Sequence, residues 1–544
     1  TGRALIGYAN TCIEHVLGGN FGWFTIDQLV NHVTIHLGTF DKKNIEKVLN
    51  NHKMRWVTKD ELLDFYKKEL SIYHRYKDFS RVEKLVDTLD KVEVQFFWYY
   101  QNLRHVIIGN DSIFRPFIED MFDLSKVDMN QNVQPDDLFK LDGALVTMVN
   151  VAFDSTVNSG DPEIQVYDLP KKMPDLAKKF VCIANRVQSI LKQMTDVFET
   201  FIFTARCVPD VENRKLMLRN SSVISDTDSV IFTVKDWVDW YTHDIYKITP
   251  GTDHIACLMI YWITQAVAHA LKIYSIAHGA KGDRIKDMAM KNEFLYPTMC
   301  LADIKKTYAG IVTVQEGIIL SKPSPDIKGV QLKGSDICKE ATDFAEKFIV
   351  DDILKASLNS KISGHGLIKK VMDFEKKIYD ETIGGSTKWC EPLAIKEKES
   401  YKKPYSSQWF YYLAWMEIFA WKYGEIQLPT KAAVIPIAQP TPQYFEYLRK
   451  ESPKCGKLFE EFMLKYKKEL SKIAISPVTN TIPKELIPLV LTRDIVYDNV
   501  GPCRLILKQL GIDCGFEDDK LLFTEVYGSH DLLNRTTQLT TKKG

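Results

Sequence analysis

The chain has 544 residues, 45% hydrophobic and 11% aromatic, which is too long for one ordinary core and excludes a disordered protein. Lys+Arg and Asp+Glu both number 71, so net charge neither favours nor excludes a nucleic-acid partner, and any such surface must be local. Ten cysteines without a C-x-x-C pair argue against zinc ribbons and thioredoxin-like sites and for a reducing compartment.

No signal peptide opens the chain, and its start at Thr1 rather than Met leads to the expectation of a processed product or a fragment. The first 150 residues read as helical and charged. FSRVEKLVDTLDKVEVQFFWYYQNLRHVI repeats apolar residues at three- and four-residue steps, the spacing of one helix face. A strong helix is predicted from Pro174 to about Ala205, with Phe180, Ile183, Val187, Ile190, Leu191, Met194, Val197 and Phe198 as a core-facing stripe. SVISDTDSVIF, residues 222–232, reads as strand on both sides of two aspartates. The helix KDWVDWYTHDIYK follows. The run IACLMIYWITQAVAHAL, Ile255–Leu271, carries no Asp, Glu, Lys or Arg but is shorter than the roughly 20 residues of a membrane span. A buried helix is expected there, and no membrane partner. SKPSPDIKG at 321–329 reads as a boundary. Beyond it the pattern is helical and Lys-rich, as in KEATDFAEKFIVDDILKASL, with another break at VIPIAQPTPQ, 434–443. The tail TTQLTTKKG has no apolar pattern and is expected to be mobile.

Asp226 and Asp228 raise the sharpest question, because two carboxylates this close repel each other. On an extended strand, residues two apart face the same side, and at a hairpin tip both converge on one point. Two hard oxygen donors placed so suit Mg2+ or Mn2+, and a bound dication would relieve the repulsion. Three readings compete. A plain polar turn is one, since Asp, Thr and Ser are common turn residues. A phosphatase of the haloacid dehalogenase type is the second, but its D-x-D usually continues Gly-Thr and opens the domain, whereas Ser229-Val230 follows here. The third is a polymerase palm.

D-T-D-S at a hairpin tip resembles the third motif of family B DNA polymerases, and further segments resemble that family in its own order. QVYDLPKKMPDLAKKFVCIANRVQSILKQM is similar to the Tyr-Asp-Leu segment and long palm helix of bacteriophage members. KNEFLYPTMCLADIKKTYAG, 291–310, resembles the strand pair ending Lys-Lys-Arg-Tyr-Ala, with Thr307 at the arginine position. IKGVQLKGSDICKEATDF resembles the Lys-Gly-x-Glu entry into the thumb, with Gln331 where the acid is usual. YSSQWFYYLAWMEIFAWKYGEIQLPTKAAVIPI is similar to the thumb helix and its following strand, and VLTRDIVYDNVGPCRLILKQLGI to the closing thumb helix. The five lie in order across residues 165–513.

The resemblance implies an α+β fold: a palm sheet, helical fingers and a mostly helical thumb. Its expected divisions are 1–155 (fingers-like and partial palm), 156–328 (palm with the Asp-Thr-Asp-Ser hairpin), 329–515 (thumb) and 516–544 (C-terminal tail). It implies template-directed addition of dNTPs to a primer 3′ end with Mg2+ or Mn2+ as cofactor. Asp228 would be the stronger metal ligand and Asp226 a supporting one. Lys305, Lys306, Tyr308 and Lys328 would contact primer-template DNA, Lys306 in the minor groove near the primer end; the blander reading of the lysines is a solvated charge pair. Of the second motif, VTMVNVAFD at 146–154 is the best candidate, with Asn150 in register, Val146 at the lysine position, and Lys140 the nearest lysine upstream. Arg75, Lys77, Arg81 and Arg104 are candidate substitutes for triphosphate binding. The family's first motif, Asp before Ser-Leu-Tyr-Pro, and the proofreading exonuclease motifs have no match in the chain. The expected partner is therefore a second polypeptide carrying both, and the alternative is a non-catalytic scaffold subunit of a viral replisome. FEDDKLLFTEVYG resembles the acidic-apolar tails that phage polymerases present to a sliding clamp. The expected setting is the cytoplasm of an infected host cell.

Overall fold

The computed structural model describes residues 2–73, 75–153, 164–204, 216–226, 229–243, 250–285, 292–302, 304–330, 338–359, 362–512 and 521–522. The chain is α+β, mostly helical with small antiparallel sheets. It divides into two compact units. One comprises Thr1–Tyr296 with Val312–Ser324, and the other Pro297–Ile311 with Pro325–Gly544. The break between Ser324 and Pro325 falls inside the segment read as a boundary.

The first unit is built around the helix Pro250–Ala277. It is long and apolar enough by length and composition to cross a membrane. Here Ile255, Leu258, Trp262, Ile263, Ala266 and Ala270 are buried in the core, packed against the helices Gly2–Val16, Gly143–Ala152 and Lys235–Thr242. Each such large side chain removed from water contributes about 1.5–3 kcal/mol.

The long helical pattern at 79–107 folds as three helices, Ser80–Thr88, Lys91–Tyr99 and Leu103–Ile107. Hydrogen-bonding side chains make the breaks. Asp90 caps the second helix, accepting from the Val92 and Glu93 N–H groups while Glu93 reaches back to the Asp90 N–H, a reciprocal capping box. Asn102 caps the third through the His105 N–H. The helix expected from Pro174 likewise ends at Lys192 and resumes as Thr195–Phe201, with Asp196 in the new first turn; Ala205 lies outside the described residues. KDWVDWYTHDIYK is helical over Lys235–Thr242 and stops at His243 in the left-handed region.

Strands β1 (Ser222–Ser225) and β2 (Val230–Phe232) form an antiparallel hairpin in this unit. Further on come β3 (Phe294–Leu295), β4 (Thr298–Leu301), β5 (Tyr308–Gln315) and β6 (Ile318–Lys328). In the first unit β3 pairs with the end of β5, Leu295 opposite Val314. In the second unit β4 pairs with its start, Leu301 opposite Tyr308.

The second unit has its own core. The helices Gly364–Ile383 and Thr492–Gln509 pack together beside a sheet of β7 (Glu391–Ile395), β8 (Thr430–Pro436) and β9 (Lys472–Ile475), with β8 central. KEATDFAEKFIVDDILKASL is an α-helix over Lys339–Lys347 that widens to π geometry over Phe348–Lys355. The break at 434–443 ends β8 at Pro436, and Thr441 caps the next helix. Leu521 and Leu522 are buried here, and the Leu522 N–H donates to Glu375 at 2.7 Å, so the apolar pair of the expected clamp-binding tail is packed inside its own unit.

Candidate functional site

The hairpin carries the Asp-Thr-Asp-Ser motif where strand gives way to turn. Ser225 pairs with Val230, and the Asp226 N–H donates to the Ser229 carbonyl at 2.9 Å. That hydrogen bond makes 226 and 229 the last rung, with Thr227 and Asp228 between them in sequence. Val and Ile on both strands favour the ladder, and Asp, Thr and Ser favour its turn. Asp226 is half-buried; Asp228 lies outside the described residues.

The base of the hairpin is held by a carboxylate that sequence reading did not single out. Glu14, 2% exposed, accepts the backbone N–H groups of Asn220, Ser221 and Ser222 at 2.8, 3.0 and 2.5 Å. One turn back on the same helix, Asn10 Oδ1 accepts the Ser222 hydroxyl at 2.6 Å. The Thr233 N–H closes the other edge on the Ser221 carbonyl at 2.8 Å. Trp237 donates its indole N–H to the Leu17 carbonyl, tying the helix after β2 to the same support. Gly18 is small of necessity, since a Cβ there would stand 2.8 Å from the Glu14 carbonyl oxygen and 3.0 Å from Ser221 Oγ. A buried carboxylate needs such charge-assisted bonds to be tolerated. The available signal was Asn10 and Glu14 four apart on the largely apolar GYANTCIEHVL.

Two carboxylates are a hard-oxygen donor set that fits Mg2+ or Mn2+. Among the described residues, no three His, Cys, Asp or Glu side chains cluster so as to hold a metal ion.

In the second unit the structure puts two of the predicted DNA-binding residues, Lys305 and Lys306, on the β4–β5 turn and the other two, Tyr308 and Lys328, on the adjoining ends of β5 and β6. Leu301 and Tyr308 close the β4–β5 pair, and the connecting turn is pinned by the Thr307 N–H to the Ile304 carbonyl and the Ala302 N–H to the Thr307 carbonyl. Lys305 and Lys306 are exposed on it, Lys306 with φ +60. Tyr308 is buried, donates its hydroxyl to Asp326 at 3.0 Å, and has the Lys328 ammonium 5.7 Å from its ring centroid. Gly329, φ +71, lies against this turn; a Cβ there would meet the Thr307 side chain and stand 2.6 Å from the Lys306 carbonyl oxygen. Gln331 lies outside the described residues.

The residues expected to bind nucleotide have partners within the chain. Asn150 lies on the Gly143–Ala152 helix and donates its amide to the Gly317 carbonyl at 3.0 Å, holding the β5–β6 turn. Val146, at the family's lysine position, is fully buried. Lys140 is exposed and pairs with Asp137 at 2.7 Å. Arg81 pairs with Asp27, and Arg104 with Asp236.

No curated protein matches the chain. The profile of the Divergent Family B DNA polymerase family matches residues 1–527, and the chain belongs to that family.

Proposed function

We propose that the chain supplies the catalytic hairpin and the DNA-holding surface of a template-directed DNA polymerase that adds dNTPs to a primer 3′ end. The observation that carries this reading is the rung from Asp226 to Ser229 at the end of a braced hairpin, in a chain of this family. Asp228 and Asp226 would hold Mg2+ or Mn2+. When bound, such ions neutralise triphosphate charge and activate the primer hydroxyl. The chain's own part is positioning: Glu14 fixes the hairpin's base, and Lys305, Lys306 and Lys328 hold the DNA backbone without regard to sequence. The remaining carboxylate of a two-metal site is supplied by polypeptide outside these residues.

Asp228→Asn tests the reading. Nucleotide addition by the assembled enzyme should fall by more than about 100-fold while primer-template affinity stays within about twofold, because the carboxylate holds metal and not DNA. Extension at a near-normal rate would sink the assignment.

A second reading is a non-catalytic scaffold that binds primer-template within a viral replisome. It is favoured by the helix Gly143–Ala152, where Val146 is buried and the Asn150 amide is taken by Gly317. Under that reading Asp228→Asn changes nothing in synthesis by the replisome.

A further inference from the structure

The first unit has a cleft of about 490 Å3, lined by Arg104 among others, to which the proposed function assigns no role. Its lining includes buried donors that lack acceptors. Asn102 is 1% exposed; its Oδ1 accepts the His105 N–H at 3.3 Å, but its Nδ2 has no partner. The Nε of Arg104 is also buried without a partner, although its other end holds Asp236 at 2.7 Å. Each unmet buried N–H costs about 1–3 kcal/mol, which a ligand oxygen would recover once the side chain turns it into the cleft. The space beside them is kept open by backbone. Gly19 has φ +66, and a Cβ on it would stand 3.3 Å from Asn102 Oδ1 and 3.4 Å from both Asn102 Nδ2 and Arg104 Cδ.

Charge and shape narrow the ligand. Lys68 and Arg219 stand exposed at the cleft beside Arg104. Asp236 is already committed to Arg104. Burial pushes the Glu69 carboxyl up to about 7, so near neutrality it opposes an anion with only part of a charge. Phe65 and Ile72 give one wall an apolar surface. The volume is that of a small-molecule site, and an Arg fork beside an amide donor suits phosphoryl oxygens.

We propose that this cleft binds a phosphate monoester, its phosphoryl oxygens taken by Asn102, Arg104, Lys68 and Arg219 and its organic part lying on Phe65 and Ile72. Two sources share this chemistry, a free mononucleotide and the 5′-phosphate of a DNA strand.

Titration calorimetry on the full chain decides it, with dAMP, inorganic phosphate and a short oligonucleotide bearing either a 5′-phosphate or a 5′-hydroxyl as probes. Saturable binding of at least one phosphate probe is expected. Lys68→Ala with Arg219→Ala should weaken it by about tenfold or more, and Ile72→Trp should abolish it by filling the cleft without changing charge. Lys84→Ala, an exposed lysine outside the cleft, should leave it unchanged. A preference of about tenfold for the phosphorylated oligonucleotide, lost in the same variants, assigns the strand end; equal binding of the two oligonucleotides beside tight dAMP assigns the free nucleotide. The proposal is overturned if no probe saturates below about 1 mM. It is equally overturned if either the charge variant or Ile72→Trp binds normally, since loss by charge alone marks unspecific attraction and loss by bulk alone marks a site that does not read phosphate.

Discussion

Glu14 shows why a single buried carboxylate decides the local architecture. Its charge is offset by three backbone N–H groups that lie 206 to 208 residues away in sequence. No periodicity or motif reveals such a partner, whereas the hairpin it braces is legible from Val/Ile runs flanking turn residues. Glu14→Ala strands the buried N–H groups of Ser221 and Ser222, so a loss of about 3 kcal/mol is expected, with Glu14→Gln in between. Urea unfolding followed by tryptophan fluorescence measures it. A change within ~0.5 kcal/mol, ordinary for a surface site, would show the carboxylate idle. His105 makes a pH prediction at the same scale. Burial holds its pKa down to about 4, against the opposing pull of its Nδ1 contact with the Trp98 carbonyl, and its ring stacks on Trp98 at 3.8 Å. The unfolded chain therefore takes up a proton below 6.5 that the folded one refuses. Stability is present above that pH and is lost as pH falls from 6.5 toward 4, by at most about 3 kcal/mol from this ring. His32, pushed to about 3 by burial and by His36, adds to the slope. Stability of His105→Gln, measured between these limits, should fall less steeply than that of the parent chain; equal slopes would mean the ring takes its proton in the folded state as well.

Elements were legible in proportion to how local their causes are. The apolar helix at 255–271 follows from pattern alone, whereas the strand pair at 291–310 and the closing helix Thr492–Gln509 were read through the family resemblance. The three-way break at 80–107 also has local causes, Asp90 and Asn102, but apolar spacing runs straight through them and hid the caps. The turn bearing Lys305 and Lys306 depends on something less local. Thr307 stands where the family has arginine, and its side chain faces Gly329 more than 20 residues on. Only a residue without Cβ, and free to take φ +71, allows that approach. Gly329→Ala should therefore cost the second unit about 2 kcal/mol or more and displace the Lys306 carbonyl. If this turn holds DNA backbone, the variant should also weaken primer-template binding and lower its salt slope by about 1, as Lys306→Ala would. Fluorescence anisotropy at several salt concentrations reads both variants. A destabilised variant with unchanged slope would leave the turn structural and remove it from the DNA surface.

At the scale of the whole chain, the family was legible because five segments keep its order, not because any one is a close match. What stayed hidden is how nucleotide addition would be completed. Asp226 and Asp228 are two residues apart in sequence and two carboxylates do not by themselves surround two ions; a carboxylate bridging both is needed for in-line displacement. The family's first motif, which would bring it, has no match in the sequence. The proposed reading therefore predicts that these 544 residues, purified alone, do not extend a primer given Mg2+, dNTPs and a primed template. Binding of the primed template should nonetheless be intact and salt-dependent, since the lysine turn needs no metal. Addition of polypeptide carrying the missing Asp should restore extension, and mutating that Asp to Asn should abolish it again. The contact between the two should be large and apolar, above about 2,000 Å2, if it completes a shared sheet. Extension is measured with and without the added polypeptide, and binding in parallel. Robust synthesis by the 544 residues alone would place the third carboxylate among them and refute the need for another chain, while DNA binding without synthesis under every combination would favour the scaffold.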